Sequence, residues 1–228
     1  MKNHFTTVVL LIGFAATLRA QDDVSRDVVV RIACIEFPKD LRKLSSADGN
    51  VAIPLSVRSP SKPLKLSATN HRLHLYDPRK LPTEDKPAKP VVTVKIPASG
   101  KQFTVLLLPG KDDAVVYEGI AIAEDDFRYG GICMHNAIHV PILMTVDKKR
   151  QPVLKPSQPS IINFKLNGAN RVVEVQFWAP KMKKFFYSAK WNLRSDIREI
   201  HILYLHPRTK RPALKTLVDV KSTEVSGE

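Results

Sequence analysis

Apolar residues in this chain recur at every second position in runs of strand length, and no segment holds helical spacing through three turns. Period-two alternation puts successive side chains on opposite faces of a pleated backbone, so the pattern predicts half-buried β-strands. Val28, Val30, Ile32 and Cys34 share one face of the first run; Leu73 with Leu75, Val92 with Val94 and Ile96, and Phe103 with Val105 and Leu107 repeat it. Further runs cover 115–122, 132–138, 140–146, 161–166, 172–178, 185–191, 200–205 and 214–220. Three proline-rich stretches, Pro54 to Pro63, Pro78 to Pro90 and Pro152 to Pro159, must be loops or edges, because proline cannot donate to a ladder. The chain is expected to be all-β.

The first twenty residues follow a different rule. Lys2 and His4 precede the uncharged run Phe5 to Ala16, and Leu18-Arg19-Ala20 then leads into Gln21, Asp22 and Asp23. That is the order of a secretory signal peptide, so residues 1–20 are expected to be cleaved near Ala20 and the rest delivered to the periplasm or outside the cell. Removing Lys2 and Arg19 lowers the formal charge from +14 to +12, so the basic character belongs to the exported part. Beyond residue 20 charges and prolines interrupt every apolar run short of membrane length, and no membrane span is expected.

An internal echo divides the remainder. Lys101 to Leu108, followed by Pro109, lines up with Arg198 to Leu205, followed by His206 and Pro207, at an offset of 97. Leu75 to Pro78 answers Phe177 to Pro180 at an offset of 102, and Cys34 and Cys133 differ by 99. The order is kept, which predicts a duplicated unit: residues 21–123, then 127–222, with 223–228 as a tail and the join near Ala123 to Asp126. About 100 residues and six or seven short strands per unit match an immunoglobulin-like sandwich. The opening of the second unit, Phe127-Arg-Tyr-Gly-Gly-Ile-Cys-Met-His-Asn136, resembles tandem immunoglobulin-like β-sandwich proteins of exported bacterial origin. That resemblance implies a fold class and no catalytic motif.

Few residues point to chemistry. GxSxG, GxxxxGK, GxGxxG and HExxH patterns are absent, and no cofactor is expected. Cys133, His139 and Met144, with a distant His71 or His74, are the ligand types of a blue-copper site and their spacing resembles a looser cupredoxin pattern. More than eighty residues follow Met144, and alternation sets Cys133 opposite Met134, Asn136 and Ile138, so core packing is favoured over copper. Cys34 and Cys133 are read as two buried free thiols in preference to a bridge. Asp112 with Asp113, and Glu124 with Asp125 and Asp126, lack the spacing of a calcium loop and are expected to be solvated turns.

Basic residues carry the functional expectation. Lys181, Lys183, Lys184 and Lys190 interleave with aromatic residues, and Arg208, Lys210 and Arg211 crowd the last hairpin. Phe185, Tyr187, Ala189 and Trp191 alternate as a buried face, which leaves Phe186 outside with the lysines. Cations beside an aromatic platform suit an anionic polysaccharide, a lipopolysaccharide or an acidic protein; nucleic acid is not expected as the physiological target outside the cytoplasm. The chain is therefore expected to be a non-catalytic binding or structural protein of the cell envelope. The alternative is a metal-dependent or carboxylate hydrolase with its site at the loops between the two units.

Overall fold

The computed structural model describes residues 24–37, 41–83, 85–110, 116–180, 185–206 and 208–221. They form sixteen strands: β1 (Ser25–Cys34), β2 (Lys43–Ser45), β3 (Ala52–Pro54), β4 (Leu64–Thr69), β5 (Arg72–Leu75), β6 (Val92–Lys95), β7 (Gln102–Pro109) and β8 (Tyr117–Ala123), then β9 (Ile132–Asn136), β10 (Leu143–Val146), β11 (Lys149–Arg150), β12 (Pro159–Ile162), β13 (Asn170–Trp178), β14 (Phe185–Arg194), β15 (Ile197–Leu205) and β16 (Pro212–Val220). The fold is all-β. No helix among the described residues is long and apolar enough to cross a membrane. Pro54 ends β3 and Pro159 opens β12, which are positions where a missing donor costs little.

Strand pairing follows the same scheme in both halves. In the first, β1 pairs β4 antiparallel and β7 parallel, and β7 pairs β8 antiparallel. In the second, β9 pairs β12 antiparallel and β15 parallel, and β15 pairs β16 antiparallel. The hairpins β2–β3 and β5–β6 are likewise answered by β10–β11 and β13–β14. What differs is how the sheets close. The first half forms a closed barrel in the order β1-β4-β5-β6-β8-β7, whereas the second forms two four-stranded sheets, β12-β9-β15-β16 and β11-β10-β13-β14.

Two local causes account for the barrel. Only Asn70 and His71 separate β4 from β5, at φ of 50° and 59°, and a two-residue turn with both φ positive holds the next strand against the last. At the other seam β6 lies parallel to β8, with Val94 opposite Gly119. A Cβ on Gly119 would stand 2.5 Å from Val94 Cγ2, so the close approach depends on its absence.

Three apolar clusters hold the molecule together. Val28, Val30, Ile32, Leu73, Leu75, Phe103, Val105 and Leu107 fill the barrel. Ile132, Met134, Met144, Val175, Phe177, Trp191 and Leu203 fill the space between the second pair of sheets. The third cluster joins them: Ala33, Leu106, Leu108, Ile122 and Phe127 pack with Cys133, Ile200, Ile202 and Leu217. β7 and β15 are therefore buried on both faces, which explains why Val105 to Leu108 is an unbroken apolar run rather than an alternating one.

That arrangement corrects the register of the internal echo. An odd offset exchanges the faces of a strand. Phe103 lies inside the barrel while Ile200, 97 residues later, faces the layer between the halves, and Cys34 and Cys133 differ in the same way. Leu75 and Phe177, at the even offset, are both core residues of their own half.

Candidate functional site

Of the basic residues singled out above, Arg208, Lys210 and Arg211 lie together at one end of the second half. β14 and β15 are joined through Ser195 and Asp196, and the Trp191 ring stacks on His201 with centroids 4.1 Å apart and planes 12° from parallel. β14 and β15 thus fold back on each other, so the start of β14 and the end of β15 lie at the same end of the sandwich. There the β15–β16 turn exposes Arg208, Lys210 and Arg211. Its shape is set by backbone bonds from Lys210 N–H to the His206 carbonyl and from His206 N–H to the Arg211 carbonyl, both 2.8 Å. Lys181, Lys183 and Lys184 lie outside the described residues. Lys190 is exposed farther along β14, across from Glu174.

The aromatic expectation at this end is inverted. Phe177 pairs with Tyr187 but Trp178 pairs with Phe185, so Phe186 is the extra residue of a β-bulge. Past the bulge the alternation changes face. Phe186 is half-buried against the second core with its ring 6.2 Å from Phe177, while Phe185 is 52% and Trp178 36% exposed. The exposed aromatic pair is Phe185 with Trp178, ring centroids 6.5 Å apart.

Where the halves meet, a buried ion network stands beside the apolar layer. Arg31 from β1 makes a two-bond pair with both carboxylate oxygens of Asp219 on β16, at 2.5 and 2.6 Å. Arg198 Nε donates to the same carboxylate at 2.6 Å, its Nη1 donates to the Phe127 carbonyl at 2.8 Å, and its Nη2 lies 2.9 Å from Glu124 Oε1. That last contact is an ion pair without the alignment of a hydrogen bond. Glu124 also accepts from the Thr104 hydroxyl, and the Arg198 guanidinium lies over the Phe127 and Tyr129 rings. Burial works to lower the Arg31 pKa, but its bonds and charge contact with Asp219 outweigh burial and leave it raised. Glu124 is thus held in the joint rather than solvated, whereas Asp125 and Asp126 are exposed and Asp112 and Asp113 lie outside the described residues.

Beside the joint a cleft of about 380 Å³ opens between the halves. Ile35, Glu36 and Glu118 line it from the first half, and His135, His139 and Lys215 from the second. Lys215 spans it by donating to the Ile35 carbonyl. Cys34 and Cys133 are buried and unbridged. Burial raises the Cys34 thiol to about 11, against the opposing pull of Lys215, and raises Cys133 to about 12, so both remain protonated at neutral pH.

The copper constellation is not brought together. Cys133 belongs to the layer between the halves, Met144 to the second core, and His139 is exposed. Among the described residues no group of three or more His, Cys, Asp or Glu side chains is placed to hold a metal. His71 occupies the β4–β5 turn, and His74 contacts Thr93 Oγ1 at 2.9 Å.

One grouping escaped the sequence reading. His201 Nε2–H donates to Glu199 Oε2 at 2.9 Å, and its Nδ1 shares a hydrogen bond of 2.9 Å with the Thr216 hydroxyl. A hydroxyl, an imidazole and a carboxylate in series is the order used to activate a nucleophile. Here the imidazole is buried under Trp191, and the cleft is lined by other residues, so the series braces the strand pair. Its members lie on β15 and β16, where Glu199 pairs with Val218 and His201 with Thr216. The alternation Glu199-Ile-His201 was the available signal.

A scan against protein-family models finds no match to the chain, and a search of curated proteins likewise finds none.

Proposed function

We propose that this is an exported, non-catalytic binding protein of the cell envelope whose second half engages an anionic partner through its cationic end. The observation that carries the reading is topological: two hairpins, β13–β14 and β15–β16, emerge at one end, the first exposing the Phe185–Trp178 pair and the second Arg208, Lys210 and Arg211. Charge and aromatic surface are then presented together, as a polyanion or an acidic protein requires. Lys181, Lys183 and Lys184 belong to the first of those hairpins in sequence and add to its positive charge.

The repeated pairing scheme supports a duplicated unit of immunoglobulin-like size, closed into a barrel in the first half and left as two sheets in the second. Export rests on the leader-like order of residues 1–20.

The test is retention of the chain lacking residues 1–20 on immobilised dextran sulfate between 50 and 300 mM salt. Binding is expected to weaken steeply as salt rises, and replacing Arg208, Lys210 and Arg211 together by Glu should lower affinity at least tenfold. No binding at low salt, or binding indifferent to salt, overturns the proposal.

The cleft supports a second reading, hydrolysis at the junction, because Glu36, Glu118, His135 and His139 border one space. Ester hydrolysis that survives purification and is lost in Glu118→Gln would favour it.

A further inference from the structure

The free edge of β14 is the most chemically defined surface left unused. Which of its backbone groups are free follows from bonds two strands away. The Asp147 N–H donates to the Glu174 carbonyl at 2.8 Å, and the Glu174 N–H donates to Asp147 Oδ1 at 2.9 Å, so the Glu174 backbone turns away from β14. Alternation then directs Val173, Val175 and Phe177 toward β14, where they face Trp191, Ala189 and Tyr187. The Ser195 N–H bond to the Ala169 carbonyl, 2.9 Å, has the same parity. The N–H and C=O of Ser188, Lys190, Asn192 and Arg194 therefore point outward. All four residues are exposed, and β14 pairs only with β13 among the described residues.

The first half shows what normally covers such an edge. Its corresponding strand, β6, is covered by β8 through Val94 with Gly119 and Lys95 with Ile120. In the second half β16 has no glycine, and it does not pair with β14. Part of the outer edge of β16 is already occupied, since the Val218 N–H donates to the Arg58 carbonyl at 3.1 Å. Among the described residues β14 pairs on one side only over ten residues, whereas the remaining edge strands of the second half, β11 and β12, run for two and four.

Charge selects what could fill the place. β14 carries Lys190 and Arg194 and no acid. Arg194 is paired with Asp196, and Glu174 across from Lys190 accepts from Gln176 Nε2 at 2.9 Å. Lys190 has no ion pair among the described residues, and a second copy of β14 would bring another cationic strand against it. We propose that β14 takes up an extended acidic segment of a partner protein as an added strand, with backbone bonds to Ser188, Lys190, Asn192 and Arg194 and carboxylates toward Lys190. This deepens the anionic-partner reading and rests on it.

The probe is a fluorescent eight-residue peptide alternating Glu and Val, compared with the same peptide N-methylated at alternate residues and with dextran sulfate. Binding of the plain peptide, a loss of at least tenfold on N-methylation, and a similar loss in Asn192→Pro would support the added strand. Proline at Asn192 removes an outward N–H and no bond to β13, and the N-methyl arm decides the matter on the unaltered protein if that variant fails to fold. Hydrogen exchange at the Ser188, Lys190, Asn192 and Arg194 amides should slow on peptide binding. Equal affinity for the N-methylated peptide, or peptide silence while dextran sulfate binds, overturns the edge proposal and leaves the anionic reading standing. If neither probe binds, both fall.

Discussion

In the first half the strand after the β4–β5 turn stays beside the one it came from, whereas in the second its counterpart crosses to the opposite sheet. The lengths of the connections separate the two outcomes. Asn70 and His71 alone join β4 to β5, while residues 163–169 lie between β12 and β13. A two-residue turn leaves the following strand no choice of neighbour, and a seven-residue link lets β13 pair with β10 instead. The second seam repeats the contrast, with Gly119 admitting Val94 in one half and no glycine in β16. One pairing scheme thus yields a barrel with hidden edges and a sandwich with an open one, and the difference lies in one connection and one seam glycine rather than in cores.

The largest effect is expected where the two halves are joined. Asp219 faces two guanidiniums and is 2% exposed, so Asp219→Ala leaves Arg31 and Arg198 without their shared counter-ion and should cost about 3–5 kcal/mol in urea unfolding. A loss under about 1 kcal/mol would mean that the apolar layer alone unites them. Gly119→Val probes the barrel seam. It is expected to cost roughly 1–3 kcal/mol and to speed hydrogen exchange in β6 and β8 while β13 and β14 keep their protection. Equal loosening in both halves would break the comparison.

His71→Gly probes the tight turn. Glycine relieves roughly 1–2 kcal/mol of left-handed strain at φ of 59° but gives back about 0.4–1 kcal/mol as unfolded-chain entropy, so the variant should show a small net gain, at most about 1 kcal/mol, in thermal unfolding. A loss would show that the His71 side chain holds the turn by another means. The smallest effect is confined to alkaline pH. Both thiols are raised in the folded chain, Cys34 to about 11 and Cys133 to about 12, above the ordinary thiol value near 9. Their contribution is complete below the unfolded pKa and is lost as pH rises through the folded values, so stability should fall above about pH 9. The fall should shrink in the Cys34→Ala, Cys133→Ala double variant, as followed by melting temperature against pH.

Strands were legible because alternation is a local property, readable at Val28 to Cys34 or Val92 to Ile96 without knowing any partner. Faces were legible only until something interrupted the alternation. The bulge at Phe186 adds one residue, which turns Phe185 outward and Phe186 inward, and nothing in Phe185-Phe186-Tyr187 distinguishes the two rings. The sequence echo follows the order of the shared pairing scheme but not its register, since an odd offset looks as good as an even one in residue similarity. Arg31 and Asp219 stand 188 residues apart, and their pairing needs the parallel placement of β7 beside β1 and the antiparallel return of β16 on β15. Only a lone acid within Leu217-Val-Asp-Val220 hinted at it.

β7 and β15 have no outward side, because each gives one face to its own core and the other to its neighbour. Expressing the chain up to Ala123, or from Phe127 onward, would strip Leu106, Leu108 and Ile122 from Ile200, Ile202 and Leu217 and present a greasy slab to water. Neither piece of the present chain is then a portable module for fusion or shuffling; the part that can be moved intact is the pair.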